Sequence, residues 1–115
     1  MNTATAQAQI DSIEAQIATL NSQVGIVQDL FRSAVVQENL SGAKFGLGML
    51  AGALVAASPE ESRYALNSSA IDASNEPRLS VVIDTFSWMS RRASELEVEL
   101  QENISRIRYS AELDY

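Results

Sequence analysis

Apolar residues recur every three or four positions through the first third of the chain. They occupy the a and d positions of a heptad repeat, with isoleucine at both positions in the first heptad. The residues between them are mostly Gln, Asn, Ser, Thr and Ala, so charges at e and g do not obviously select a partner. The repeat predicts a long helix over about 5–40. Its apolar positions are Ile10, Ile13, Ile17, Leu20, Val24, Val27, Phe31 and Ala34.

The apolar stripe of this first helix widens past Val27. Ile26, Leu30, Val35 and Val36 join it there. A helix with a narrow stripe needs one neighbour, whereas a wider stripe must be covered by more than one. The pattern therefore predicts more than one neighbour at the C-terminal end of the helix.

A second stripe with the same spacing runs through the last third of the chain and predicts a helix over about 76–113. The polar Asn103 interrupts it, unless the neighbouring Ile104 takes its place. The two predicted helices are both about 50 Å long, which suits an antiparallel hairpin, and pairing with other subunits is the alternative. The stripe consists of Leu79, Val82, Phe86, Met89, Ala93, Leu96, Leu100, Asn103 and Ile107.

The segment between the two stripes begins with an uncharged run over 45–57, FGLGMLAGALVAA. As a helix this run would reach about 20 Å, which is shorter than a bilayer core of about 30 Å. Two glycine pairs, Gly42 with Gly46 and Gly48 with Gly52, have the GxxxG spacing that lets helix backbones approach closely. The run is therefore predicted to be an apolar helix in close contact with a neighbour.

A short helix and a loop are predicted after the apolar run. Ser58, Pro59 and Glu61 have the order of an N-cap, a first helical residue and a capping-box partner, so the helix should continue to about Ile71. The sequence DASNEP over 72–77 predicts a loop. The chain is thus predicted to be a single all-α domain over 1–115. Two long heptad-patterned helices would form a helical hairpin or coiled-coil bundle, joined by the apolar helix and the short capped helix.

Composition and charge exclude several classes of function. The chain has no cysteine and no histidine, which excludes a thiol nucleophile, a zinc ribbon and a Ser–His–Asp triad. We therefore expect no enzymatic activity, no metal and no cofactor. The net charge of −7 makes nucleic acid an unfavourable partner. A run of glutamates at 95, 97, 99 and 102 is predicted to be a solvated face paired with nearby arginines.

The candidate interaction residues follow from the need to bury the apolar stripes, which favours a homo-oligomer or a protein partner. Arg91 and Arg92 are candidate contacts for an anionic ligand, with charge balance against the glutamates as the alternative. The predicted self-association residues are Ile10, Ile13, Ile17, Leu20, Val24, Val27, Phe31, Phe86, Met89, Leu96 and Leu100. The predicted partner-binding residues are Phe45, Leu47, Met49, Leu50, Leu54 and Trp88.

These features favour a non-enzymatic structural protein, a self-associating subunit of a larger assembly such as a phage virion or a secretion apparatus. One alternative is a small phage- or bacteria-encoded regulatory or inhibitory binder of a host protein or a nucleotide. Another is a membrane-active helix bundle in which 45–57 inserts, although membrane contact is the less favoured of the two. The N-terminus lacks a signal-peptide pattern, so we expect a cytoplasmic location or one within a virion or assembly.

Overall fold

Three helices contain most of the described residues. The computed structural model describes residues 2–57, 63, 65–68, 72 and 75–113. Helix α1 spans Thr3–Val36, α2 spans Leu40–Ala57 and α3 spans Leu79–Leu113. Residues 65–68 are also helical, and no strand occurs in these ranges. The all-α prediction is confirmed, including its two long helices.

Helices α1 and α3 run antiparallel and pack along their apolar stripes. The rings of Phe31 and Phe86 stack with centroids 3.7 Å apart and planes within 4°. Farther along, Asn21 Nδ2 donates a hydrogen bond to Glu97 Oε1 at 3.2 Å. Still farther, the guanidinium of Arg108 lies 3.6 Å from the carboxylate of Glu14. Along these three contacts the residue numbers decrease on α1 and increase on α3. The two stripes therefore meet within one chain as an antiparallel hairpin.

Helix α2 folds back along α1 and also contacts α3. Its backbone comes so near α1 that a Cβ added at Gly46 would lie 3.3 Å from Phe31 Cβ. Leu47, Leu50 and Leu54 are completely buried on this side of α2. The molecule is elongated, with extents of 57 × 24 × 15 Å. Among the described helices, α2 extends along α1 as far as Ser12, which lines a depression together with Ala57.

The turn between α1 and α2 ends the first helix earlier than predicted, at Val36 instead of about residue 40. The N–H of Asn39 donates to the carbonyl of Ala34 at 2.8 Å, and that of Glu38 donates to Val35 at 3.0 Å. These two bonds form a Schellman motif, with Glu38 at the left-handed position, φ 53°. Asn39 then caps α2, because its Oδ1 accepts from the Gly42 N–H at 3.0 Å.

The connection into α3 also differs from the prediction. The loop predicted over 72–77 is wrong at residues 72 and 75, which are helical, and the non-helical residues described here are 76–78. Turn-prone polar residues have only a weak preference against helix, so context can override it. The α3 helix begins after the non-helical residues 76–78, at Leu79 rather than at about 76. The predicted capping box of Ser58, Pro59 and Glu61 lies outside the described residues.

The polar interruption in the second stripe is resolved by a shift of one residue. Ile104 is only 3% exposed, whereas Asn103 is half-buried. Ile104 thus takes the place of Asn103 in the apolar contact with α1. The amide of Asn103 remains at the edge of the contact, where water can reach it.

Candidate interaction surface

Most of the predicted self-association residues form the core of a single chain. Nine of them are less than 9% exposed, and Ile13 and Val24 are half-buried against the same cluster. Their apolar surface is covered by contacts among α1, α2 and α3, so it offers little area to a second copy. The buried members are Ile10, Ile17, Leu20, Val27, Phe31, Phe86, Met89, Leu96 and Leu100.

The predicted partner-binding residues divide into two groups. Leu47, Leu50 and Leu54 are fully buried core residues. This corrects their expected role, because they could reach a partner only by leaving the core. Phe45 and Met49 are 68% and 38% exposed on the opposite side of α2. Trp88 is 40% exposed on α3, and it does not line the groove between α1 and α2.

The exposed side of α2 carries no charge. Its only charged residue, Lys44, is half-buried. A helix side that faces water normally carries charged or strongly polar residues. This one consists of small or apolar residues with a single serine. The exposed positions are Ser41, Phe45, Gly48, Met49, Gly52 and Ala56.

The neighbouring side of α1 extends this uncharged surface. Ile26 and Leu30 are 57% and 48% exposed and lie one helical turn apart. Ile26 lines the same depression as Met49, and Leu30 and Phe45 are the chain neighbours of the packed pair Phe31 and Gly46. We call this combined surface the outer face. It comprises Gln16, Thr19, Gln23, Ile26 and Leu30 of α1 with Phe45, Gly48, Met49, Gly52 and Ala56 of α2.

A shallow groove follows the line between α1 and α2 on the outer face. Two adjoining depressions of about 330 and 260 Å³ share Gln23, Ala53 and Ala56 in their walls. No charged residue lines either of them, and the polar groups present are amides and hydroxyls. Small-molecule sites usually enclose most of their ligand and place several polar groups around it. An open, uncharged groove is better suited to another protein surface.

Ile26 and Leu30 were not among the predicted binding residues, although the sequence contained a signal for them. Both residues widen the apolar stripe of α1, which predicted an additional neighbour. Helix α2 covers only part of that widened stripe and leaves these two side chains in solvent. Val35 is half-buried and Val36 is 78% exposed at the end of the same helix.

The acidic run on α3 is paired with an arginine of the same helix. Arg92 donates from one guanidinium nitrogen to Glu99 at 2.8 Å and lies 3.5 Å from Glu95. The hydrogen bond to Glu99 is the main cause that raises the pKa of Arg92 above its usual value. Arg91 is exposed beside it, and neither arginine lines the groove. The geometry of Arg92 matches the charge-balance alternative.

The described residues contain no group of three acidic side chains arranged to hold a metal ion. Nor is any polar or charged residue buried in the parts of the chain described above. The α2 helix has a mean hydropathy of 1.5 over its 18 residues, so its length and composition alone would suit a membrane span. Its three buried leucines are, however, part of the core shared with α1 and α3.

Comparison with protein-family models, with curated proteins and with solved structures found no match for this chain.

Proposed function

We propose that this chain is a non-enzymatic assembly subunit that self-associates through its outer face. The observation that carries the proposal is the exposure of four large apolar side chains on one uncharged surface. Ile26, Leu30, Phe45 and Met49 are between 38% and 68% exposed, although each helix already contributes a buried stripe to the core. A contiguous apolar surface of this kind is typical of a protein interaction site.

The distribution of charge supports contact at this surface. The chain carries a net charge of −7, which keeps copies apart wherever charged surfaces meet. The centres of protein interfaces are depleted in charged residues. The outer face has this composition, while α3 carries the long run of glutamates and arginines. Association through the outer face would keep the charged helix α3 in solvent.

A binding role is better supported than a catalytic one. The sequence contains no His or Cys, and Arg92 is engaged by two glutamates. A nucleotide-binding regulator would require basic side chains that converge on a pocket, and neither Arg91 nor Arg92 lines the groove.

The proposal that the larger particle is a virion or a secretion assembly rests on composition. The chain has a single lysine among eight basic residues and abundant alanine, which is typical of GC-rich bacterial and phage genes.

Sedimentation velocity and light scattering of the wild-type chain test the proposal. The protein should be measured from about 1 to 200 μM, the range in which a micromolar complex dissociates. We expect the mass to rise from 12.5 kDa to at least twice that value with concentration. A chain that remains at 12.5 kDa throughout would contradict self-association.

A further inference from the structure

The outer face has a projecting side chain, Phe45, and a hollow beside Gly52, and both lie on helix α2. Phe45 projects from one end and is 68% exposed. At the other end, a Cβ added at Gly52 would have nothing within 4 Å among the described residues. The hollow beside Gly52 has a volume of about 260 Å³, and Ile26, Val27 and Met49 contribute to its walls. A cavity of about 150 Å³ can already accept benzene, so a phenylalanine ring fits this hollow.

Phe45 and Gly52 lie on the same side of α2. They are seven residues apart, which is two helical turns or about 10.5 Å along the axis. A two-fold axis that passes between Gly48 and Met49 exchanges the two positions. Starting from the proposed self-association, we infer that a second copy packs antiparallel on α2 and that Phe45 of each copy inserts beside Gly52 of the other.

The uncharged composition of the outer face, with Phe45 and the hollow beside Gly52 on the same side of α2, favours a second copy as the occupant of this surface. Any stable partner must present a surface that is uncharged and apolar at its centre. A copy of the same face meets this requirement, and it leaves the charged helix α3 of each chain in solvent, where salt screens the repulsion between two chains that each carry −7. Two-fold contacts of this isologous kind are the commonest arrangement in homo-oligomers.

The size of the outer face sets the expected strength of the contact. Helix α2 is about 27 Å long, and two adjacent helices are about 20 Å wide. Contact between two such faces would bury about 1,000 Å² in total, near the lower limit of specific interfaces. We therefore expect a dimer with a micromolar dissociation constant, rather than an obligate one.

The glycines of α2 agree with this arrangement. Each glycine in a helix lowers its stability by up to about 1 kcal/mol relative to alanine. Gly42 and Gly46 are needed where α2 meets α1, because an added Cβ at either would crowd that contact. Gly48 and Gly52 have no such neighbour within the described chain. At the two-fold contact they let the second α2 approach closely.

Substitution of Phe45 by glutamate tests the contact directly. Val98 on α3 is 57% exposed and lies outside the outer face, so Val98→Glu is the matched control for the same change of charge. We expect Phe45→Glu to weaken the dimer at least about 30-fold in sedimentation experiments, as loss of a central anchor residue does. Val98→Glu should leave the dissociation constant within about two-fold of wild type. Circular dichroism should show that both variants remain helical.

Disulfide trapping tests the geometry without relying on loss of affinity. The natural chain has no cysteine, so every cross-link must come from the introduced residues. A mixture of Phe45→Cys and Gly52→Cys chains should form cross-linked pairs, because the two positions meet across the two-fold axis. Either variant alone should cross-link several-fold more slowly, since its own copies lie two turns apart.

The possible outcomes distinguish a failure of this contact from a failure of the proposed self-association. A wild-type chain that is monomeric at every concentration would contradict both the contact and the proposed self-association. A second result is a wild-type oligomer that Phe45→Glu and Val98→Glu affect equally and that the cysteine pair fails to cross-link. That result would support the proposed self-association and contradict the contact between Phe45 and Gly52. A third result is a monomeric wild-type chain that co-sediments with phosphatidylcholine vesicles and loses this binding on Phe45→Glu. Lipid would then be the occupant of the outer face, and the contact between two copies would be contradicted.

Discussion

The inner and outer faces of α2 have similar compositions and different environments. The inner face packs Gly46, Leu47 and Leu50 against neighbouring helices, and these residues are buried. The outer face presents Phe45, Gly48 and Met49, which are exposed. Each face combines a glycine with large apolar side chains. The difference shows that apolar content alone does not identify the core: the face that packs is the one whose Gly46 lets α2 approach Phe31 of α1.

Truncation of one large side chain on each face should produce the largest contrast. Leu50 is completely buried, so Leu50→Ala should lower the free energy of unfolding by about 2–5 kcal/mol. Met49 is its exposed neighbour, and Met49→Ala should change that free energy by less than about 1 kcal/mol. Urea denaturation at about 0.1 μM protein, well below the expected dissociation constant of the dimer, measures both values.

Equal losses of unfolding free energy for Leu50→Ala and Met49→Ala would contradict the division of α2 into a buried inner face and an exposed outer face. In that case the packing of α2 in solution would differ from the arrangement in which Leu47, Leu50 and Leu54 are buried.

A measurement on Met49→Ala at high protein concentration adds a second contrast. There the variant should lower the apparent stability through loss of the dimer, since association stabilises the folded chain by mass action.

The heptad pattern was sufficient to predict α1 and α3, because each helix buries one continuous stripe. Their antiparallel contact was one of two arrangements that the equal lengths left open. The end of α1 was not predicted, because Glu38 occupies the left-handed position at which glycine is the usual signal. Asn39 was a usable signal, since asparagine is a preferred N-cap and here accepts the Gly42 N–H.

The glycines provide a second, smaller contrast between packed and open positions. Gly46→Ala gains helix propensity, but the new Cβ would lie 3.3 Å from both Phe31 Cβ and Phe31 Cδ2. Phe31 has little freedom to move, because it stacks on Phe86 at 3.7 Å. We expect a net loss of about 1 kcal/mol in the free energy of unfolding, since overpacking outweighs the propensity gain. Thermal unfolding followed by circular dichroism measures the change.

Gly25→Ala is the control for this prediction. A Cβ at Gly25 meets nothing within 4 Å in the described residues, and the position lies in an exposed part of α1. The variant should gain up to about 1 kcal/mol, which raises the melting temperature by a few degrees. If Gly46→Ala is as stabilising as Gly25→Ala, then α2 does not approach α1 as closely as described.

The outer face could be predicted only in part, for a physical reason. The uncharged run over 45–57 identified a segment for interaction, but it is apolar on every side and therefore gives no preferred inward direction. Leu47 and Phe45 were accordingly assigned the same role, although one is buried and the other is 68% exposed. Their separation depends on the register of α2 against α1, which we expect the turn at 37–39 to set.

That turn supplies the smallest of the expected effects and the most direct test of how the register is set. Glu38 has φ 53°, a conformation that is unfavourable for a residue with a Cβ and accessible to glycine. Glu38→Gly should raise the free energy of unfolding by about 0.5–1 kcal/mol, because relief of the strain outweighs the added freedom of the unfolded chain. Gln37 has φ −86°, so Gln37→Gly at the adjacent position should be destabilising by a similar amount. A loss of stability in both variants would mean that the left-handed turn is not what joins α1 to α2, and the assignment of inner and outer faces would then need another cause.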